Sequence, residues 1–316
     1  MPPVVFGNWL AFGVLVAALL AIDLIVFHRR DRRASLRQST AVTAAWCLLA
    51  LVFNGFLWRW RGSDAALQFS AGYLLEWSLS VDNVFVFAVI FRFFQIPLGY
   101  QYRVLFWGIL GAMVMRLVMI VVGAAAIHRF DWLLPLFGAF LVYSAYCLAK
   151  PSAEQFDPQQ SWILRAARRW LRIAPGGCEE HGGRFVVRCG GRLHVTTLCL
   201  VLLVIESSDV LFALDSVPAI FGISKDPFVI FTSNVFAILG LRALYFLLAG
   251  ALEACEGLHY GLAAVLALVG LKMIAEWWIP APQQPLLPTW AMLAVIVLVL
   301  ALSIALPVIG RALRKR

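Results

Sequence analysis

The chain has 316 residues, of which 62% are hydrophobic and 14% charged, and its mean hydropathy is +0.87. A soluble domain of this length needs a far more polar surface, so lipid is the expected solvent. The net charge of +9 does not point to nucleic acid, because the basic residues lie between apolar runs and form no single stripe.

Nine apolar stretches reach the roughly 17–25 residues that a bilayer-crossing helix needs. They lie near 6–27, 41–58, 66–91, 104–127, 132–149, 195–221, 228–250, 258–278 and 290–309. The expected fold is all-α, a single polytopic membrane domain over 1–316. The first stretch is followed, not preceded, by its basic cluster. That polarity is wrong for a cleaved signal peptide and predicts a retained helix with its N-terminus outside.

Lys and Arg in the connections test this topology. With the N-terminus outside, the inside segments hold Arg29, Arg30, Arg32, Arg33, Arg37, Arg92, Arg103, Lys150, Arg165, Arg168, Arg169, Arg172, Arg184, Arg188, Arg192, Arg311, Arg314, Lys315 and Arg316, nineteen in all. The outside segments hold four: Arg59, Arg61, Arg129 and Lys225. This strong positive-inside bias predicts a cytoplasmic C-terminus in a plasma membrane, expected to be the bacterial inner membrane.

The inside connection 150–194 is the one sizeable polar segment. Ser161 to Leu171 reads as an amphipathic helix at the inner interface. Arg184–Arg188 and Arg192–Val195 read as two short strands around a Cys-Gly-Gly turn. Cys178, His181, Cys189 and His194 have a poor spacing for zinc, so a plain hairpin is expected. Of the six cysteines, Cys47, Cys147, Cys199 and Cys255 lie in or beside apolar stretches, and Cys178 and Cys189 face a reducing compartment. No disulfide is expected.

The chain also repeats itself. Ser80-Val-Asp82 in the third stretch answers Ser207-Ser-Asp209 in the sixth. Asp82 precedes Arg116 by 34 residues, and Asp209 precedes Arg242 by 33. Gly111 and Gly138 in the first unit match Gly240 and Gly270 in the second. Units at about 66–149 and 195–278 begin on opposite sides of the membrane, which predicts an inverted three-plus-three repeat of the kind found in secondary transporters.

Acids inside these stretches carry the chemistry. Glu76 and Asp82 lie in the third; Glu206, Asp209 and Asp215 lie in the sixth. Each costs roughly 2.5–3.5 kcal/mol at a lipid-facing helix centre, and five together on the order of 12–18 kcal/mol. They are therefore expected to face a polar interior, with Arg116, Arg242 and Lys272 as charge partners. Asp23 and Glu276 sit near stretch ends and are left to the interface.

Five acids against three bases leave two negative charges, which one bound divalent cation or two protons would neutralise. Asn83, Ser216 and Asn234 add neutral oxygen ligands. Oxygen-only ligation suits Mn2+, Mg2+ or Ca2+ over Zn2+. Glu206 and Asp209 share a helix face, whereas Asp215 is half a revolution from Glu206. A helix opening near Asp215–Pro218 would redirect Asp215 to the ion; otherwise Asp215 is expected to hold an arginine or Lys272.

Glu76-Trp-Ser-Leu-Ser-Val-Asp82-Asn-Val-Phe-Val-Phe and Glu206-Ser-Ser-Asp209-Val-Leu-Phe-Ala-Leu-Asp215-Ser-Val-Pro resemble the two signature segments of the TerC/Alx family, within the lysine-exporter-like superfamily. The run from Asp226 through Asn234 to Arg242 extends the resemblance. Ser207-Ser208 stands where the family often has threonines. The resemblance implies a metal-handling role for Glu76, Asp82, Glu206, Asp209 and Asp215, and export of manganese. It also implies two alternatives, a membrane assembly or partner protein, and tellurite resistance acting through metal homeostasis. The chain is read as a transporter, not an enzyme. It is expected to hold no cofactor and to take Mn2+ as transported substrate. Its expected partners are a divalent ion and the lipid bilayer. Nothing in the sequence speaks to oligomeric state.

Overall fold

A computed structural model describes residues 5–28, 36–150, 162–175, 181–248, 258–279 and 287–314. The described residues form ten helices and one hairpin: α1 (Phe6–His28), α2 (Leu36–Arg61), α3 (Ser63–Phe93), α4 (Leu98–Arg129), α5 (Leu133–Ala149), α6 (Trp162–Trp170), β1 (Val186–Cys189), β2 (Arg192–Val195), α7 (Thr197–Phe221), α8 (Pro227–Leu248), α9 (Leu258–Trp278) and α10 (Thr289–Arg314). Seven of the helices are long and apolar enough to cross a membrane, and α5 and part of α10 are shorter apolar helices. The all-helical membrane bundle expected from hydropathy is the fold observed.

Helices run past the ends of the apolar stretches. α3 has 31 residues and α4 has 32, about 46–48 Å at 1.5 Å per residue, against about 30 Å of hydrocarbon. Arg59, Arg61, Arg92, Arg103 and Arg129 lie inside helices, although hydropathy places them in connections. A charge ends an apolar run without ending the backbone hydrogen bonding, because a long basic side chain carries its charge out to the interface. Between α2 and α3 there is a single residue, Gly62, at φ +92. That left-handed conformation is open to glycine without strain and turns the chain at once into α3.

α8 is the enclosed element. Of its apolar window 94% is buried, against 6% for α1. α8 packs on α2, α3 and α4; α7 packs on α3 and α4; α5 packs on α9; α10 lies over α3 and α9. Exchanging α3, α4, α5 with α7, α8, α9 turns the α3–α8 contact into α7–α4 and the α3–α9 contact into α7–α5. The contacts α5–α9, α3–α7 and α4–α8 map onto themselves.

The hairpin lies in the connection between α6 and α7, with β1 and β2 antiparallel and Cys189 opposite Arg192. α6 packs on α7. Arg103 Nη1 donates to Gly183 O at 2.6 Å and ties the connection to the start of α4. His181 Nε2 lies 2.9 Å from Pro175 O and His194 Nδ1 lies 3.0 Å from Arg192 O. Cys178 and Cys255 lie outside the described residues, as does the basic cluster after α1; Cys47, Cys147, Cys189 and Cys199 are free thiols.

Candidate metal site

On α3, Glu76, Ser80 and Asn83 are spaced to share one helix face, and all three are buried. α7 brings Asp209 and Ser216, seven residues apart, to its own inward face, and both are buried. α4 supplies Arg116 from a buried stripe that includes Ile109, Ala112, Met113 and Ile120. α8 supplies Asn234, which is wholly buried.

Glu76, Asp209 and Ser216 meet at the Arg116 guanidinium. Its Nη1 donates to Glu76 Oε1 in an ion pair, and to Ser216 Oγ at 3.1 Å. Its Nη2 and Nε donate to the two oxygens of Asp209, at 3.2 and 3.4 Å. Asn234 Nδ2 donates to the remaining Glu76 oxygen, Oε2, at 3.1 Å. A forked guanidinium spanning two carboxylates is the arrangement that arginine geometry favours and an ammonium cannot copy. Asn234 Oδ1 and Ser80 Oγ are buried beside Glu76 without a hydrogen-bond partner. Buried polar atoms of this kind usually have a partner, so among the described residues the Asn234 amide oxygen and the Ser80 hydroxyl, one turn along α3 from Glu76, are left unsatisfied.

The other acids stand apart from this cluster. Glu206 is half-buried against α4, and a Cβ added to Gly111 would run into its carboxylate. Asp82 is half-buried on another face of α3 and makes no ion pair among the described residues. Asp215 accepts a hydrogen bond from Ser144 of α5 at 2.7 Å. Among the described residues no three His, Cys, Asp or Glu side chains gather at ligand spacing. Two acids converge, Glu76 and Asp209, from different helices and around one cation.

Three expectations change. First, α7 runs unbroken through Pro218 to Phe221. Pro218 stands one turn from the helix end, so little helix follows the bond it removes, and the buried run Val217–Phe221 holds the backbone in place. Asp215 is therefore not redirected to Asp209, and it holds Ser144 instead of an arginine or Lys272. Second, Arg242 forms its ion pair with Asp23 of α1, and its guanidinium lies over the Tyr102 ring at 5.8 Å. Third, Lys272 donates to Gly222 O at 2.9 Å, just past the end of α7, and lies 3.4 Å from Glu276 one turn along α9. Asp23 and Glu276 are thus pairing acids, not interface residues without a role. Their signal was available: Asp23 and Arg242 lie toward the C-terminal ends of α1 and α8, which the charge bias of the sequence expects on one side of the membrane. With those bases committed elsewhere, Arg116 is the one base among the described residues that pairs with any of the five acids, and it pairs with two of them.

Glu76 and Asp82 are six residues apart, and so are Asp209 and Asp215. In each unit the first acid binds Arg116 and the second does not.

A profile of the integral membrane protein TerC family matches residues 61–315. An uncharacterised membrane protein of Myxococcus xanthus is 45% identical over 278 residues, covering 88% of this chain and 86% of its own. The Alx protein of Escherichia coli K12, whose name marks it as a candidate membrane-bound redox modulator, is 44% identical over 275 residues, with 84% and 85% covered. A membrane protein of Rickettsia conorii is 37% identical over 276 residues, with 87% and 91% covered. No solved structure matches the chain. With its multi-pass helical bundle and a family match running from the end of α2 to the C-terminus, the chain belongs to the TerC family of integral membrane proteins.

Proposed function

We propose that the protein exports divalent metal cations from the cytoplasm, with Mn2+ the preferred substrate, and that protons move the other way. The observation that carries this reading is the buried pair Glu76 and Asp209, which faces across the contact of α3 and α7. The neutral oxygens near it are Asn234 Oδ1, Ser80 Oγ and Ser216 Oγ, with no sulfur or imidazole ligand beside them among the described residues. Hard oxygen ligands favour Mn2+ over Zn2+. The exchanged contacts of α3–α5 and α7–α9 support an inverted repeat, an architecture that places a cation site where the two units meet. The basic bias of the connections supports a bacterial inner membrane orientation with the N-terminus outside and the C-terminus inside.

Asp82, Glu206 and Asp215 are read as further polar stations for the ion or for protons. Each sits in a membrane helix without an ion pair among the described residues. Redox effects of the sort named for the Alx relatives would then follow from altered metal balance. Purified protein in liposomes tests the reading by uptake of Mn2+, Zn2+, Mg2+ and Ca2+, with and without a pH gradient. Mn2+ uptake that a pH gradient accelerates is expected. Absence of transport of every divalent ion would move the membrane assembly or partner reading ahead.

A further inference from the structure

All four oxygens of the Glu76 and Asp209 carboxylates are already held by donors. Arg116 takes three of them, and Asn234 takes the fourth. A metal ion would have to share those oxygens with Arg116 and sit against its positive charge, so it cannot take the pair fully while Arg116 stays in place. Arginine stays protonated in proteins and cannot yield by losing a proton. It can only swing away. From these contacts, resting on the cation-site reading above, we infer that Arg116 is a tethered surrogate cation. It offsets one of the two negative charges of Glu76 and Asp209 in the unloaded protein, and the divalent substrate, which offsets both, displaces it.

Three observations support this beyond the pairing itself. Arg242 and Lys272 are engaged at other sites, so among the described residues no second base pairs with Glu76 or Asp209. Ser216 Oγ accepts from the same Nη1 that holds Glu76, a neutral contact that keeps the guanidinium in register without adding charge. Asn234 Oδ1 and Ser80 Oγ are fully buried and unpartnered. Both are acceptors, which an arginine already committed to two carboxylates leaves unused and a metal ion could take. The consequence is a set affinity. Bare carboxylates buried in lipid would grip a divalent ion too tightly to release it, and a competing internal cation lowers the grip.

The test is Mn2+ binding to the purified full-length protein by titration calorimetry. Arg116→Gln should bind Mn2+ at least about tenfold tighter than the wild type and release it more slowly. Arg116→Lys keeps a positive charge but cannot fork across both acids, so its affinity should lie between the two. If the wild type shows no binding and Arg116→Gln binds, the surrogate role stands. If neither binds any divalent ion, the cation-site reading fails and takes this inference with it. If the wild type binds and Arg116→Gln binds equally or more weakly, the inference alone is overturned. Should Arg116→Gln not fold, Arg116→Lys decides by the same comparison with the wild type.

Discussion

Gly138 of α5 and Gly270 of α9 meet backbone to backbone. A Cβ on Gly138 would lie 2.7 Å from the carbonyl oxygen of Gly270, and one on Gly270 would lie 2.6 Å from that of Gly138. The contact is reciprocal, so the same crowding awaits a side chain on either helix. Gly138→Ala and Gly270→Ala are each expected to cost about 1–3 kcal/mol through overpacking. The two losses should be similar. Thermal unfolding in detergent measures them. A loss confined to one glycine would count against a two-fold relation between the helices.

The structure separates two aspartates that sequence alone treats alike. Asp209 supplies two of the oxygens around Arg116, whereas Asp82 makes no ion pair among the described residues. Asp209→Asn leaves a buried guanidinium with one carboxylate, and a loss of about 3 kcal/mol is expected. Asp82→Asn should change stability by less than about 1 kcal/mol. Both should weaken Mn2+ export. Unfolding curves and liposome transport of each variant check this; equal stability of the two variants contradicts the assigned contacts.

Asp23 and Arg242 form a largely buried ion pair that fastens α1 to α8. Removing one partner strands the other charge. Asp23→Leu and Arg242→Leu should each cost about 3–5 kcal/mol, whereas the double variant should recover most of the loss. A double-mutant cycle on thermal stability reads the coupling. Additive losses would show that the two charges do not depend on each other.

Gly62 lies between α2 and α3, and Pro175 lies between α6 and the hairpin. Reporter fusions at these positions are expected outside and inside the membrane respectively. Activity of both reporters on one side would contradict the orientation derived from the basic residues.

Hydropathy and charge bias determined the membrane fold, most helix positions and the need to shield five acids. These follow from free energies that add along the chain: each residue is scored against lipid wherever its helix ends up. Asp209 and Ser216, seven apart on one helix, were likewise bound to share a face. Only the tertiary structure decided which charges meet. Asp23 and Arg242 are 219 residues apart, and their pairing depends on the depth and rotation at which α1 and α8 pack. Pro218 fails to open α7 because its neighbours are packed, a force no local propensity contains. The choice of Glu76 and Asp209 as the pair around Arg116 has the same origin. Periodicity puts an acid on a face, but helix packing determines which face it meets.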